Sequence, residues 1–433
     1  MPQLFKKQRE LLAAYVHTFQ VSETRRLDAS FNLEYEALWN SIGRDGPWGE
    51  FLDEFDIWHI AQLAYRRVEG ATVTGFTGPL DGNLIPVVEE EMRIFLESLP
   101  RPYFICFELP LFPRYGIAEI ALGAGVSIIQ TVGNTYGDLV EKPNTLRGLF
   151  SLGADQVEWR DRLKADTVYL RFEVPGYADR SLTSYSPARA FARLKHFLVL
   201  GFSSGVLRHR ELGEILIENR SMDPTQTTID VIAYNPDDYQ RETYRLRLPD
   251  GASKHVRWFR INEDSLTIHD GKSGTTILGG RVAETSEDKT KALPSALSTT
   301  MRLQQLDESH KDADRIRAAL EWYFDADTAD NQTVAFLQRC IGLEAILGDD
   351  ENLRTTPLTD RLADRYAYLM GQTASERIGL REHFRKVYGR RSDVVHSRRA
   401  AARIDFRNEI EAQTMLSNLI RKEVSGLLRT LKI

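Results

Sequence analysis

The sequence has few cysteines and no long apolar run. Only Cys106 and Cys340 occur among its 433 residues, which excludes a disulfide framework and leaves no Cys-x-x-Cys pattern for a metal. No apolar stretch is long enough to cross a bilayer, and the first residues, Met1 to Arg9, lack the apolar core of a signal peptide. We therefore expect a protein of the reducing cytoplasm that does not enter a membrane.

Several catalytic signatures are absent as well. The chain contains no nucleophile elbow, no P-loop and no His-Glu-x-x-His pair. Leu122-Gly-Ala-Gly-Val-Ser-Ile-Ile contains a Gly-x-Gly after a predicted strand, but Ile128 stands where a dinucleotide loop needs its third small residue. This stretch therefore predicts a turn or bulge rather than a dinucleotide loop. Since the chain as a whole shows no cofactor or metal motif, no cofactor and no metal are expected.

The charge of the chain is uneven. Its net charge is −6, whereas residues 377–407 contain 10 Lys or Arg against 3 Asp or Glu. Such a run is either a solvated face or an electrostatic footprint for nucleic acid, and its composition does not separate the two. With 42% hydrophobic and 27% charged residues the chain is otherwise of ordinary globular composition, and its length predicts two or three domains.

Hydrophobic spacing predicts an α+β protein with a mixed N-terminal region, residues 1–305, which we interpret as sensing or regulatory. Residues 1–70 are expected to be helical, 71–211 mixed and 212–283 rich in antiparallel strands. The predicted helices of this region are Leu4–Phe19, Ala29–Ser41, Phe51–Val68, Val87–Leu99 and Pro187–Phe202. The predicted strands are Thr72–Thr77, Tyr103–Glu108, Ile117–Gln130, Thr167–Val174, Glu214–Glu218, Thr228–Tyr234, Thr243–Leu248, Val256–Ile261, Leu266–His269 and Thr276–Val282.

The C-terminal region, residues 306–433, is expected to be an all-α bundle. Its amphipathic segments predict the helices Arg315–Phe324, Asn331–Gly348, Pro357–Met370, Ser375–Tyr388 and Phe406–Leu431. The second of these has a predicted inward stripe of Val334, Leu337, Ile341 and Ala345. Glu344 falls on the Leu337/Ile341 part of that stripe, so it either pairs with Arg361 or Arg365 on the next helix or lies at the rim of the core.

An arginine and a histidine follow the fourth predicted helix, where the basic helical pattern breaks into a loop, and they form the candidate catalytic pair. Arg391 is a permanent cation suited to phosphate, and His396 can transfer a proton near neutral pH. Together they could cleave RNA without a metal, with His396 as general base for the 2′-hydroxyl and Arg391 on the phosphate. Supporting residues are expected nearby: Tyr388, Arg390, Ser392, Asp393, Glu344 and Arg365.

The spacing of the pair alone is weak evidence, because Arg377/His383 and Arg189/His196 have similar spacing. We interpret Arg189/His196 as part of a solvated helix face. Arg391 differs because helical steps from Phe384 and Val387 place it on an inward face. His396 lies about 140° further round an unbroken helix. The pair can therefore converge only if the helix breaks near Asp393–Val395 or if two subunits share the site.

Residues 313–433 resemble an HEPN domain of the Apea-like branch. The resemblance lies in the segments Leu320-Glu-Trp-Tyr-Phe, Phe336-Leu-Gln-Arg-Cys-Ile-Gly-Leu-Glu-Ala-Ile-Leu-Gly, Asp360-Arg-Leu-Ala-Asp-Arg-Tyr-Ala-Tyr-Leu and Tyr388-Gly-Arg-Arg-Ser-Asp-Val-Val-His-Ser. The family has Gly after the histidine, whereas this chain has Ser397.

The resemblance implies four or five helices, a homodimer that brings two Arg/His motifs together, and metal-independent endoribonuclease activity. It also implies a role in bacterial anti-phage defence, as an abortive-infection or toxin-like hydrolase. RNA is then the expected substrate, and a phage or cellular trigger would bind the N-terminal region. Because some HEPN domains are not nucleases, the alternative is a non-catalytic dimerisation module attached to an N-terminal ligand- or partner-binding domain.

Overall fold

The computed structural model describes residues 2–22, 27–44, 46–69, 78–131, 163–164, 166–209, 228–239, 242–268, 281–306, 310–348, 357–396 and 404–431. It confirms the predicted α+β class, with sheets in the N-terminal region and a C-terminal run of helices. Among the described residues, no helix is both long enough and apolar enough to span a membrane.

The first part of the chain forms a helical layer with its own apolar core. Its helices are α1 (Lys6–Val16), α2 (Leu33–Trp39), α3 (Asp56–Glu69) and α4 (Ile85–Ser98), with short strands β1 (Gln20–Val21), β2 (Leu27–Asp28) and β3 (Gly78–Pro79) between them. Tyr35 and Trp48 are buried in this core, as expected for packing aromatics, and the Trp48 indole donates to the carbonyl of Leu96 at 2.6 Å. Phe31 and Phe55 are exposed instead.

A six-stranded antiparallel sheet forms the centre of the N-terminal region, in the order β10-β9-β4-β7-β6-β5. Its strands are β4 (Arg101–Glu108), β5 (Glu119–Gly123), β6 (Val126–Gln130), β7 (Val168–Gly176), β9 (Asp230–Tyr234) and β10 (Thr243–Arg247). β9 pairs with β4, so Cys106 lies opposite Ile232. The segment 212–283 was expected to be rich in antiparallel strands. Two of its strands, β9 and β10, complete the sheet that β4 to β7 begin.

The glycine-rich stretch after β5 is a turn, as predicted. Gly123, Ala124 and Gly125 have φ values of 98°, 53° and 66°, which is the left-handed region that glycine tolerates best. The chain reverses there directly into β6, with a shift of register between Ala121 and Gly123. No helix starts at this point, so the geometry of a dinucleotide loop is absent.

The predicted strand Val256–Ile261 is wrong in its first half. Residues Asp250–Arg257 form helix α6, and only Phe259–Ile261 form a strand, β11, which pairs with β8 (Leu207–His209). The charged residues of this helix interact favourably with its dipole. An acidic residue, Asp250, lies in the first turn, and the basic residues Lys254, His255 and Arg257 lie in the last turn. β12 (Thr267–Ile268) pairs with β13 (Arg281–Val282). The predicted strands Thr72–Thr77 and Glu214–Glu218, and most of Thr276–Val282, lie outside the described residues.

Helix α5 (Tyr185–Ser203) packs between the sheet and the C-terminal helices. The interpretation of its Arg189/His196 face as solvated is wrong for His196, which is buried and lies 3.1 Å from Glu321. Burial lowers the pKa of this histidine. Lys195 forms an ion pair with Asp325 at 2.7 Å. The apolar core therefore continues across the predicted boundary at 305/306.

The C-terminal helices follow the predicted order closely. After α7 (Ser286–Ala296) and α8 (Ser298–Gln305) come α9 (Lys311–Asp327), α10 (Gln332–Leu347), α11 (Leu358–Met370), α12 (Ala374–His396) and α13 (Phe406–Leu431). Asn331 caps α10 through its side chain. The predicted buried face of α10 is wrong. Val334, which was expected to point into the core, is exposed, and the buried face contains Phe336, Cys340 and Leu343 instead.

Candidate functional site

Helix α12 carries both residues of the candidate pair and does not break between them. It runs for 23 residues, from Ala374 to His396, so the predicted break near Asp393–Val395 is wrong. Val394 packs against the main core, and this contact supports the last turn despite the β-branched Val394-Val395 pair. Arg391 and His396 therefore lie about 140° apart on one helix. A site that uses both on one phosphate needs a second copy of the motif.

Arg391 lies on the inward side of α12, as its helical phase predicts. Phe384 and Val387 are fully buried on that side, and the Arg391 side chain is one-third exposed. Its Nε lies 2.9 Å from Oε1 of Glu344 on α10, and its guanidinium lies 5.8 Å from the centre of the Tyr388 ring. The cation on Glu344 is thus Arg391, whereas Arg361 or Arg365 had been expected.

Tyr388 completes this cluster. Its hydroxyl donates to Oε1 of Glu344 at 2.8 Å, and its ring stacks on Phe384 at 5.5 Å. Burial and the adjacent Glu344 carboxylate raise the pKa of Tyr388, so it stays a neutral donor. Burial likewise raises the pKa of the nearby Cys340 thiol to about 12, which excludes a thiolate there near neutral pH. Arg391, Glu344 and Tyr388 form a preorganised polar cluster at the edge of the core.

The orientation of Arg391 leaves part of its guanidinium available. Glu344 contacts Nε, and within the described part of the chain the two Nη groups have no hydrogen-bond partner. These are the N–H groups that can bind two oxygens of one phosphate. The site can therefore present a positioned cation to an anion that arrives from solvent.

The other predicted supporting residues divide into two groups. Arg390, Ser392 and Asp393 are exposed on α12, where Arg390 lies 3.4 Å from Asp393. They can contact a ligand but are not part of the buried cluster. His396 is the last residue of α12, and its side chain lies outside the described residues.

Arg365 lies elsewhere in the bundle, at a cavity of about 520 Å³ between α9, α10, α11 and α13. The cavity is also lined by Asp312, Asp364 and Glu423. Burial raises the pKa of Glu423, which Arg365 partly opposes. The structure therefore does not bring Arg365 together with Arg391.

A buried ionic cluster in the same bundle was not predicted. Arg339 on α10 contacts Asp327 at 2.6 Å and also Glu409 on α13, and its side chain is only 3% exposed. Gln413 donates to Asp327 at 3.3 Å. Burial raises the pKa of Asp327 to about 6, although Arg339 acts in the opposite direction. Arg339 lies one residue before the buried Cys340 on a mostly apolar helix. This position was the only indication in the sequence that the arginine could be buried.

The described residues contain one group of side chains with the composition of a metal site, Asp56, His59 and Asp179. It lies in the N-terminal region, on α3 and after β7, and does not include the residues around Arg391. The spacing of Asp56 and His59 on one predicted helix was visible in the sequence. Asp179 is far away in sequence and could be placed only by the fold.

Comparison with known proteins gives no match to a family model, a curated protein or a solved structure. The resemblance to Apea-like HEPN domains thus depends on the residues of the motifs themselves and stays a prediction.

Proposed function

We propose that the C-terminal helices are a metal-independent endoribonuclease of the Apea-like HEPN type, which acts as a homodimer in bacterial anti-phage defence. The observation that carries the proposal is the orientation of Arg391 by Glu344, with Nη groups that have no hydrogen-bond partner among the described residues, inside the most basic stretch of the chain. In this proposal the N-terminal region binds the trigger and restrains or releases the activity.

The proposed reaction is an internal transfer at phosphorus. His396 removes the proton from a ribose 2′-hydroxyl, and the 2′-oxygen attacks the adjacent phosphorus. The bond from phosphorus to the 5′-oxygen breaks, and that oxygen takes a proton from a protonated histidine. Arg391 stabilises the charge that develops on the phosphate oxygens. The products are a 2′,3′-cyclic phosphate and a 5′-hydroxyl.

The proposed dimer is supported by the geometry of α12 and by the apolar surface near it. Because α12 is unbroken, one copy directs Arg391 and His396 to different sides. Val395 is exposed in the last turn of α12, and Phe406 and Ile410 are exposed in the first turns of α13. Val334 is also exposed, and the backbone of Ile404 contacts Thr333 beside it at 3.5 Å. A second copy would cover such apolar side chains.

The Arg391–Glu344 contact also supports a second function. A carboxylate at 2.9 Å neutralises much of the charge that a phosphate would bind. In this alternative the contact only ties α12 to α10, and the bundle is a non-catalytic dimerisation module. The two functions differ in what the loss of His396 does: it abolishes RNA cleavage in the first and changes nothing in the second.

The decisive experiment incubates the purified full-length protein with total RNA in the presence of EDTA. We expect cleavage products that end in a 2′,3′-cyclic phosphate. His396→Ala should lower the cleavage rate at least about 100-fold, as the loss of a general base does. The control is His383→Ala, because His383 is an exposed histidine on the same helix at similar spacing from an arginine. Equal cleavage by the two variants, or a strict need for Mg²⁺, would favour the non-catalytic module.

The dimer has its own test. Phe406→Glu puts a charge on the apolar surface near α12 and should shift the protein from dimer to monomer in sedimentation experiments, with loss of cleavage. Ile378→Glu is the matched control, since Ile378 is 62% and Phe406 63% exposed. It lies at the other end of α12, so the dimer should persist. A wild-type monomer at micromolar concentration contradicts the shared site.

A further inference from the structure

Three side chains that commonly bind metals come together between α3 and the segment after β7. The ligand atoms of Asp56, His59 and Asp179 all lie within 4.8 Å of one another. Asp56 and His59 are three residues apart on α3, so they share one face of that helix. Asp179 comes from the chain that leaves the central sheet. This cluster is separate from the Arg391 site, and the inference drawn from it does not depend on the proposed function.

Asp56 is a buried carboxylate with no Lys or Arg partner among the described residues. It is only 3% exposed, and its Oδ2 accepts a hydrogen bond from the backbone of Asp53 at 2.6 Å. Burial raises the pKa of Asp56 to about 8, and the other groups that raise it are the acidic Asp53 and Asp179. Within the described part of the chain no Lys or Arg forms an ion pair with it. A carboxylate in this position requires either a proton or a bound cation.

His59 and Asp179 meet beside this carboxylate. Nδ1 of His59 lies 3.0 Å from Oδ2 of Asp179, but the buried ring nitrogen does not have hydrogen-bond geometry with any described residue. The other oxygen, Oδ1 of Asp179, accepts from the backbone of Ser181 at 2.7 Å, which fixes the carboxylate. Two ligand atoms that each lie about 2.1 Å from one ion, at right angles, would be about 3.0 Å apart.

The cluster can be reached from solvent. The side chain of His59 is 40% exposed, so an ion can reach the cluster from solvent past the imidazole. The cluster combines buried negative charge with a route of entry.

We propose that Asp56, His59 and Asp179 bind one divalent transition-metal ion, Mn²⁺ or Zn²⁺. Imidazole is a good ligand for such ions, whereas Mg²⁺ and Ca²⁺ take oxygen ligands. Two aspartates would balance the two positive charges. The ion would join α3 of the N-terminal helical layer to the segment after β7, and so fix that layer to the central sheet. With three protein ligands, positions remain for water.

The test uses the full-length protein after removal of metals by chelation. Calorimetric titration with MnCl₂ and with ZnCl₂ should show one ion per chain, and MgCl₂ should show none. Asp179→Asn should weaken the binding at least about 100-fold, because even the loss of a residue behind a ligand costs tenfold to 100-fold. His383→Ala is the control for surface histidines and should bind as the wild type does. Absence of saturable binding, or unchanged binding in Asp179→Asn, overturns the proposal.

A second variant separates metal binding from a purely structural role. Asp56→Asn keeps an oxygen that can accept from Asp53 but removes the charge next to Asp179. The metal-free protein should therefore melt at the same or a higher temperature than the wild type. Added Mn²⁺ should raise the melting temperature of the wild type and not that of Asp56→Asn. If Mn²⁺ raises both equally, Asp56 is not a ligand and the proposal fails.

Failure here is distinguishable from failure of the ribonuclease proposal. Asp179→Asn should abolish metal binding and leave RNA cleavage in EDTA unchanged. Likewise His396→Ala should abolish cleavage and leave metal binding unchanged.

Discussion

Arg339 on helix α10 and Arg391 on helix α12 both contact carboxylates in the C-terminal bundle. They differ in burial and in the number of carboxylates that contact them. Arg339 is almost completely buried, and Asp327 and Glu409 both contact it. Arg391 is one-third exposed, and its Nε lies 2.9 Å from Oε1 of Glu344. Two carboxylates oppose the charge of Arg339 inside the core, whereas the two Nη groups of Arg391 have no hydrogen-bond partner among the described residues. Burial and the number of acidic partners therefore distinguish a structural arginine from one that is available to a ligand.

The largest expected effect is a loss of folding stability when Arg339 is replaced. Arg339→Met leaves two carboxylates without their cation in the core, so the free energy of unfolding should fall by about 3–5 kcal/mol. Urea denaturation followed by circular dichroism measures this loss. Arg339→Lys keeps one positive charge and should lose less. A loss below about 1 kcal/mol for Arg339→Met would place this cluster in contact with solvent and remove the distinction from Arg391.

Arg391 should show the opposite pattern. Arg391→Ala should lower RNA cleavage at least about 100-fold, since it removes the group that stabilises charge on the phosphate. Its free energy of unfolding should fall by only about 1 kcal/mol, because the ion pair is partly exposed. Initial rates on a labelled RNA and a urea titration of the same preparation give both values. A large loss of stability with unchanged cleavage would make Arg391 a second structural arginine.

The buried setting of Arg339 can also be tested through the pH dependence of folding stability, because its partner Asp327 titrates. Its folded-state pKa of about 6 is above the unfolded value of 3.8, so the native protein keeps the proton over a range in which the unfolded chain has lost it. The stabilisation from this group is complete below about pH 4 and is lost as the pH rises through 6, by about 3 kcal/mol. Denaturation midpoints between pH 4 and 7 should show this slope in the wild type. Asp327→Asn should remove it, and an unchanged slope would assign the titration to another group.

The smallest expected effect is at Glu344. Had it paired with a buried arginine of α11, Glu344→Ala would cost about 3–5 kcal/mol. Its partner Arg391 is partly exposed, so the expected cost is about 1–2 kcal/mol, including the lost bond from Tyr388. Thermal denaturation measures the shift, and Arg390→Ala on the exposed side of α12 is the control. A cost near that of Arg339→Met would contradict the assignment of Glu344 to the edge of the core.

Much of the C-terminal fold could be predicted because its signals are local. Local features define these helices without any knowledge of tertiary contacts. They include Asn331 as a cap, Gly348 after the helix, and the spacing of Phe384 and Val387. The phase of α10 could not be predicted in this way. Its apolar residues surround most of the helix, so Val334 and Phe336 were equally good candidates for the core. Which of the two is buried depends on where α9 and α13 pack.

The candidate sites show the same limit. The inward position of Arg391 follows from its spacing to Val387, a local property of one helix. Its partner Glu344 is 47 residues away, and Arg361 and Arg365 satisfied the same rule that a buried carboxylate needs a cation. The grouping of Asp56 with Asp179 is more distant still, because it requires the sheet and α3 to be in place. Sequence reasoning therefore identified charged groups that need a partner better than it identified the partner.

Helix α5 has a consequence for how the protein is made. It contacts α9 through His196 and Lys195, but α9 begins at Lys311, over 100 residues later. At a synthesis rate of about 5–20 residues per second, the α9-facing side of α5 waits several seconds for its partner. The sheet and α5 are thus an unfinished core until the C-terminal helices leave the ribosome. The C-terminal helices, one of which carries Arg391, therefore complete the core that the sheet and α5 begin.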